Sequence, residues 1–252
     1  MKSLKDQAQG KQTWKPTSRE MPRYIPTGSP GLDAALGGGW VRGQVATIYF
    51  AAASEPERLL LATMLAAQKR QQTIGIISTI MLDLELMRLA ELNLSTIHVA
   101  RVADLDEIEE ALRVSQRQKY DILIVDSLDV VLTEREGLDR WRELQQMMRR
   151  MRNKFRSSNT ATLVMRMMNE RALQRTIPHV ARDDDRAVVV VDCTKGCLKV
   201  RVAHTRTDTL AVELMVHIDH HGVVNLPREL KRMGFTGEEA KAAREILVSR
   251  DG

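Results

Sequence analysis

The residues of this chain that bear most directly on chemistry lie in Gly43 to Leu61, GQVATIYFAAASEPERLLL, and at Asp126. Val45, Thr47 and Tyr49 alternate with Ala46, Ile48 and Phe50, β-branched and aromatic types that suit a buried strand, and Leu59 to Ala67 reads as helix. Strand, tight loop and helix make the layout of a phosphate-binding site, where a helix N-terminus attracts the anion. The loop residues contradict that use. Ser54-Glu-Pro-Glu57 has the spacing of a capping box, with Ser54 as N-cap, Glu57 three residues on, and Pro56 in the first turn, where its missing N–H costs nothing. The helix dipole is then answered by the chain's own carboxylates, Glu55 and Glu57, and a bound anion would meet repulsion.

With the flanking Ile25-Pro-Thr-Gly-Ser-Pro-Gly-Leu-Asp33 and Ala35-Leu-Gly-Gly-Gly-Trp40, the segment resembles the core of RecA-family ATPases. The likeness continues at Tyr120-Asp-Ile-Leu-Ile-Val-Asp-Ser127, similar to the family's Walker B strand, and at Ser158-Asn-Thr160 leading into the next strand. It covers roughly Tyr24 to Asn225. A working P-loop reads G-x-x-x-x-G-K-[ST]: glycines let backbone N–H groups wrap the phosphates, lysine reaches the terminal ones, and a hydroxyl holds Mg²⁺. Aligned here, the first glycine becomes Phe50, the second Glu55, the lysine Pro56 and the hydroxyl Glu57. Where the family places a glutamate to position the attacking water stands Ile80, and its polar sensor pair falls on Arg166 and Met167. Asp126 remains, and a lone carboxylate is half of a magnesium site. The resemblance therefore implies a RecA-like pseudo-ATPase with no catalytic residues and no cofactor.

The elements that must position these residues read as an α/β chain: a mainly parallel twisted sheet flanked by helices, an antiparallel C-terminal part and a short helical tail. Strands are expected over Thr73–Ser78, Ile97–Val99, Tyr120–Asp126 and Thr162–Met168, with helices over Leu82–Leu92, Leu105–Arg117 and Leu144–Phe155. Antiparallel strands follow over Ala187–Asp192, Leu198–Ala203 and Leu210–Ile218. The organisation is a basic N-terminal arm over residues 1–23, a core over 24–225 and a helical tail over 226–252. At 252 residues there is room for one sizeable core with small appendages. Aromatics are only 4% of the chain, so that core rests on Leu, Ile, Val, Ala and Met.

The formal charge of +5 permits nucleic-acid or acidic-protein partners without requiring either. Arg149, Arg150 and Arg152 crowd a helix whose apolar stripe is Leu144, Met147, Met148, Met151 and Phe155, a pattern that ordinarily marks a solvated face. Arg171, Arg175 and Arg182 fall where RecA-like proteins have their second DNA-binding loop, and Asp183-Asp-Asp185 argues the other way. His204 and Arg206 fall where such proteins place two lysines that reach a neighbouring subunit's ATP; a surface salt bridge is the plainer reading. Cys193 and Cys197 flank Thr-Lys-Gly in a hairpin, and no other cysteine or clustered histidine completes a metal site. With no signal peptide and no apolar run of about 18 residues, a cytoplasmic protein without membrane contact is expected.

Two functions remain in view. One is an accessory or scaffold in DNA recombination, repair or damage tolerance (the SOS response included), bound to DNA without sequence preference, to a RecA-type recombinase or polymerase partner, or to further copies of itself. The other is a protein-only interaction platform in regulation. Asp126 and Arg206 keep a third in play, an ATP site completed by a partner.

Overall fold

The computed structural model describes residues 23–51, 54–79, 87–88, 90–127, 129, 137–168, 186–194, 197–204, 212–219, 222 and 224–225. The expected arm (all but Arg23), tail and second loop lie outside them, and of the helix expected over Leu82–Leu92 only the helical Met87 and Arg88 and the non-helical Ala90 to Leu92 are described. A two-stranded hairpin of β1 (Tyr24–Ile25) and β2 (Trp40–Val41) encloses α1 (Pro30–Leu36). The remaining strands are β3 (Val45–Phe50), β4 (Ile74–Ser78), β5 (Ile97–Arg101), β6 (Ile122–Asp126), β7 (Ala161–Met167), β8 (Arg186–Thr194), β9 (Cys197–His204) and β10 (Val212–Val216). They form one sheet in the order β10-β9-β8-β3-β7-β6-β4-β5. Pairings from β8 to β5 are parallel, and β8, β9 and β10 pair antiparallel, as the sequence pattern implies.

Three longer helices connect parallel strands: α2 (Glu57–Lys69), α3 (Leu105–Gln118) and α4 (Gly137–Phe155). Each leaves the carboxyl end of the sheet and returns to its amino end, so all three point the same way. Strand alternation divides the core. Ala46, Ile48 and Phe50 face α1 and α2 with Ile122, Ile124, Leu163 and Met165. Val45, Leu123, Val125 and Val164 face α3 and α4, where Leu144, Met147, Met148, Met151 and Phe155 are all buried. α4 starts earlier than its apolar stripe, because Leu138 to Phe155 contains no Gly or Pro to stop it.

The hairpin is clamped to α2. Gly28 has φ +90°, and a Cβ there would stand 2.4 Å from the Ala62 carbonyl oxygen, so only glycine allows this approach. Trp40 Nε1 donates to Thr63 Oγ1 at 3.2 Å, and Thr63 Oγ1 donates to the Thr27 carbonyl at 3.0 Å. Among the described residues no helix is long and apolar enough to cross a membrane.

Candidate functional site

The loop between β3 and α2 does not form the capping box. Ser54 Oγ donates to the Ala51 carbonyl at 2.7 Å and accepts from Ala51 N–H at 3.1 Å, so its side chain turns back onto the end of β3. Helix α2 begins at Glu57 with Pro56 as its N-cap, and no side chain caps it. The reason is local backbone geometry. Glu55 adopts φ +46°, an uncommon left-handed conformation that delays the helix and leaves Ser54 too far upstream to reach its first N–H groups. Glu55 instead pairs with Arg58 one turn on.

Two carboxylates stand beside this loop. Asp126 closes β6 and is buried, which raises its pKa above the ordinary 3.8; hydrogen bonds from Ser127 Oγ at 3.0 Å and Ser78 Oγ at 3.3 Å oppose the rise. Ser78 ends β4, directly paired with Asp126, and Thr79 Oγ1 donates to the Ser127 carbonyl at 2.9 Å. Glu57 is exposed at its outer edge, and lost hydration on the side facing the protein raises its pKa above 4.5 most of all; a bond from its own backbone N–H opposes this, the negative charges of Asp126 and Glu55 add to it, and Arg58 opposes it. Glu57 and Asp126 thus share one electrostatic environment at the carboxyl end of the sheet, where open α/β sheets bind ligands. Among the described residues no group of three His, Cys, Asp or Glu could hold a metal ion. Phe50 is buried in the α2-side core.

Arg166 is not beside these carboxylates. It follows Val164 by two residues, so it lies on the opposite, α4 face, where its guanidinium stands 5.4 Å from the centre of the Tyr49 ring and 3.5 Å from Asp129. Both side chains of that pair are about 95% buried, at 5% and 6% exposure. Met167, the other expected sensor position, is 47% exposed. Sequence reading passed over Asp129; the signal was an arginine in an otherwise apolar strand, which calls for a buried acid.

The expected arginine stripe on α4 divides. Arg150 pairs with Glu109 of α3, Arg152 Nε donates to the Met148 carbonyl at 3.3 Å, and Arg149 is exposed. Ile80, Arg171, Arg175, Arg182 and Arg206 lie outside the described residues, and of His204 only the backbone, at the end of β9, is described. Cys193 and Cys197 sit on the paired strands β8 and β9, as a hairpin requires. At the amino end of the sheet, Asp121 ties strands together: it accepts from Arg42 at 2.7 Å and from Thr73 N and Oγ1 at 2.8 and 2.9 Å.

No curated protein matches the chain. A match to a protein family runs from β1 through β7 and so includes the β3–α2 loop, Glu57, Asp126 and Arg166 but none of β8, β9 and β10. Spanning residues 24–183, more than half the chain, it shows that the protein belongs to the family of unknown function DUF7125.

Proposed function

We propose that this protein is a RecA-like core without nucleotide chemistry, serving as an accessory or scaffold in DNA recombination, repair or damage tolerance. It would contact DNA phosphates, a RecA-type partner, or both. The sheet order, with β3 between the later strands β7 and β8, is compatible with a RecA-like core and also with a Rossmann-like one. The observation that carries the reading is the pair of carboxylates at the loop after β3, the exposed Glu57 and the buried Asp126. A phosphate there would face negative charge from both, with Pro56 in place of the lysine and Phe50 packed in the core in place of the first glycine.

Calorimetric titration with ATP and Mg²⁺ tests this: no saturable heat is expected, and micromolar affinity would overturn it. Restoring lysine alone, Pro56→Lys, should not rescue binding, because Glu57 would still occupy the position of the hydroxyl. The Arg150–Glu109 pair favours the second reading, a protein-only platform, since it neutralises part of the stripe that would face DNA.

A further inference from the structure

The crossover connections bring a basic surface together at the amino end of the sheet, away from the carboxylates. Three segments meet there. Gln116 Nε2 of α3 donates to the Lys154 carbonyl of α4 at 2.9 Å, Thr160 Oγ1 donates to the Tyr120 carbonyl at 2.6 Å, and Gly43 N–H donates to the Thr160 carbonyl at 2.9 Å. Residues 40–44, 111–121 and 149–160 are thereby stitched into one surface, and the one carboxylate within these segments, Asp121, is paired with Arg42. Arg113 and Arg150 are neutralised by Glu110 and Glu109. Arg117, Lys119, Arg149, Lys154 and Arg156 have no acidic partner among the described residues, and all but Lys154 are exposed.

Helix C-termini attract cations, and this accounts for part of the charge. It does not account for all of it, because Arg149 lies more than one turn before the end of α4. We propose that this surface, rather than the loop after β7, is where the chain grips the phosphate backbone of a nucleic acid. The inference rests on the DNA-associated reading and gives it a location. Arginine forks suit phosphate oxygens, and the exposed Asn153, Ser157 and Asn159 interleave neutral hydrogen-bonding groups with the cations. An acidic protein partner would call for an apolar centre as well. Of the described large apolar residues that are exposed (Val99, Val114 and Met167), only Val114 lies in these segments.

The test is binding of the full chain to fluorescent single-stranded DNA across a salt series, for the parent, for Arg117→Gln/Lys119→Asn/Arg156→Gln, and for Arg171→Ala/Arg175→Ala/Arg182→Ala. Asn is chosen at 119 because that residue has φ +54°. The first variant should lose affinity for all sequences alike and show a log–log salt slope shallower by about 2, at about 0.7 per phosphate. The second should retain the parent's slope. If the first variant binds like the parent while the second does not, the surface is overturned and the DNA reading stands. If the parent shows no salt-dependent binding to DNA, or binds only vesicles of anionic lipid or a polyglutamate probe, both are overturned. Should the triple variant unfold, Arg117→Gln and Arg156→Gln made singly keep the test, each expected to reduce the slope by about 0.7.

Discussion

Deleting one member of the buried Arg166–Asp129 pair should destabilise the protein far more than deleting both. At 5% and 6% side-chain exposure, neither charge is well solvated, so Asp129→Ala removes a carboxylate that faces a guanidinium in the core. Breaking such a pair from one side costs about 3–5 kcal/mol. The 3.5 Å separation is long for a charge-assisted bond, and the Tyr49 ring at 5.4 Å continues to attract the cation, so the lower end, about 3 kcal/mol, is expected. For a chain of this size that corresponds to a fall in Tm of about 6–12 °C. Arg166→Met/Asp129→Leu should come within about 1 kcal/mol of the parent, because apolar replacement of both partners removes the desolvation cost with the attraction. Urea unfolding of the parent, both single variants and the double variant gives the coupling energy directly. If Asp129→Ala costs under about 1 kcal/mol, or if the single effects simply add, the pair is not a buried charge contact and the reasoning fails.

Neutralising the two carboxylates at the β3–α2 loop should stabilise the protein at neutral pH. A carboxyl whose folded pKa is raised binds its proton more readily in the folded chain, so its contribution favours folding in acid and turns against it as pH rises from the ordinary range through the raised value. Urea midpoints should therefore be higher for Glu57→Gln/Asp126→Asn than for the parent at pH 7, with the advantage gone below about pH 4; a variant less stable at pH 7 would contradict the assigned burial. Gly28→Ala should cost about 2 kcal/mol or more, since it forces both a left-handed alanine and a 2.4 Å approach to the Ala62 carbonyl. An unchanged Tm in that variant would show that the β1–β2 hairpin is not held against α2 as described.

Local pattern was legible where a single element decides it. The stripe Leu144, Met147, Met148, Met151 and Phe155 is buried because helical spacing places those residues on one face wherever the helix docks. The β3 run and the Cys193–Cys197 hairpin follow from strand types and turn residues in the same way. The cap after β3 was misread because S-x-x-E fixes only a spacing. Whether Glu55 turns left-handed, and so delays the helix past the reach of Ser54, depends on how Ser54 closes onto Ala51. Partners distant in sequence were the least legible. Arg166 meets Asp129 across 37 residues and Arg150 meets Glu109 across 41, and neither partner is implied by its own segment. The parallel pairing of β3 with β8 is likewise a property of the whole sheet.

The two charged ends of the sheet are far enough apart to act separately, so the proposed lack of nucleotide chemistry and the proposed nucleic-acid contact are compatible. Asp126 lies at one end of β6 and Asp121 just before the other, so the strand sets the spacing: five residues from Ile122 to Asp126 at about 3.3 Å each span about 17 Å. The screening length at physiological salt is about 8 Å. Across two such lengths, the repulsion of Glu57 and Asp126 toward an anion fades through solvent, while Arg117, Lys119 and Arg156 remain within one length of a strand lying on their own surface. A carboxylate-lined loop, even one that refuses a nucleotide as proposed, therefore sets no barrier to a phosphate backbone at the opposite end. On the proposed reading, acids in the loop remove one anion site without changing the field at the other, and the proposed nucleic-acid contact needs no compensating change elsewhere.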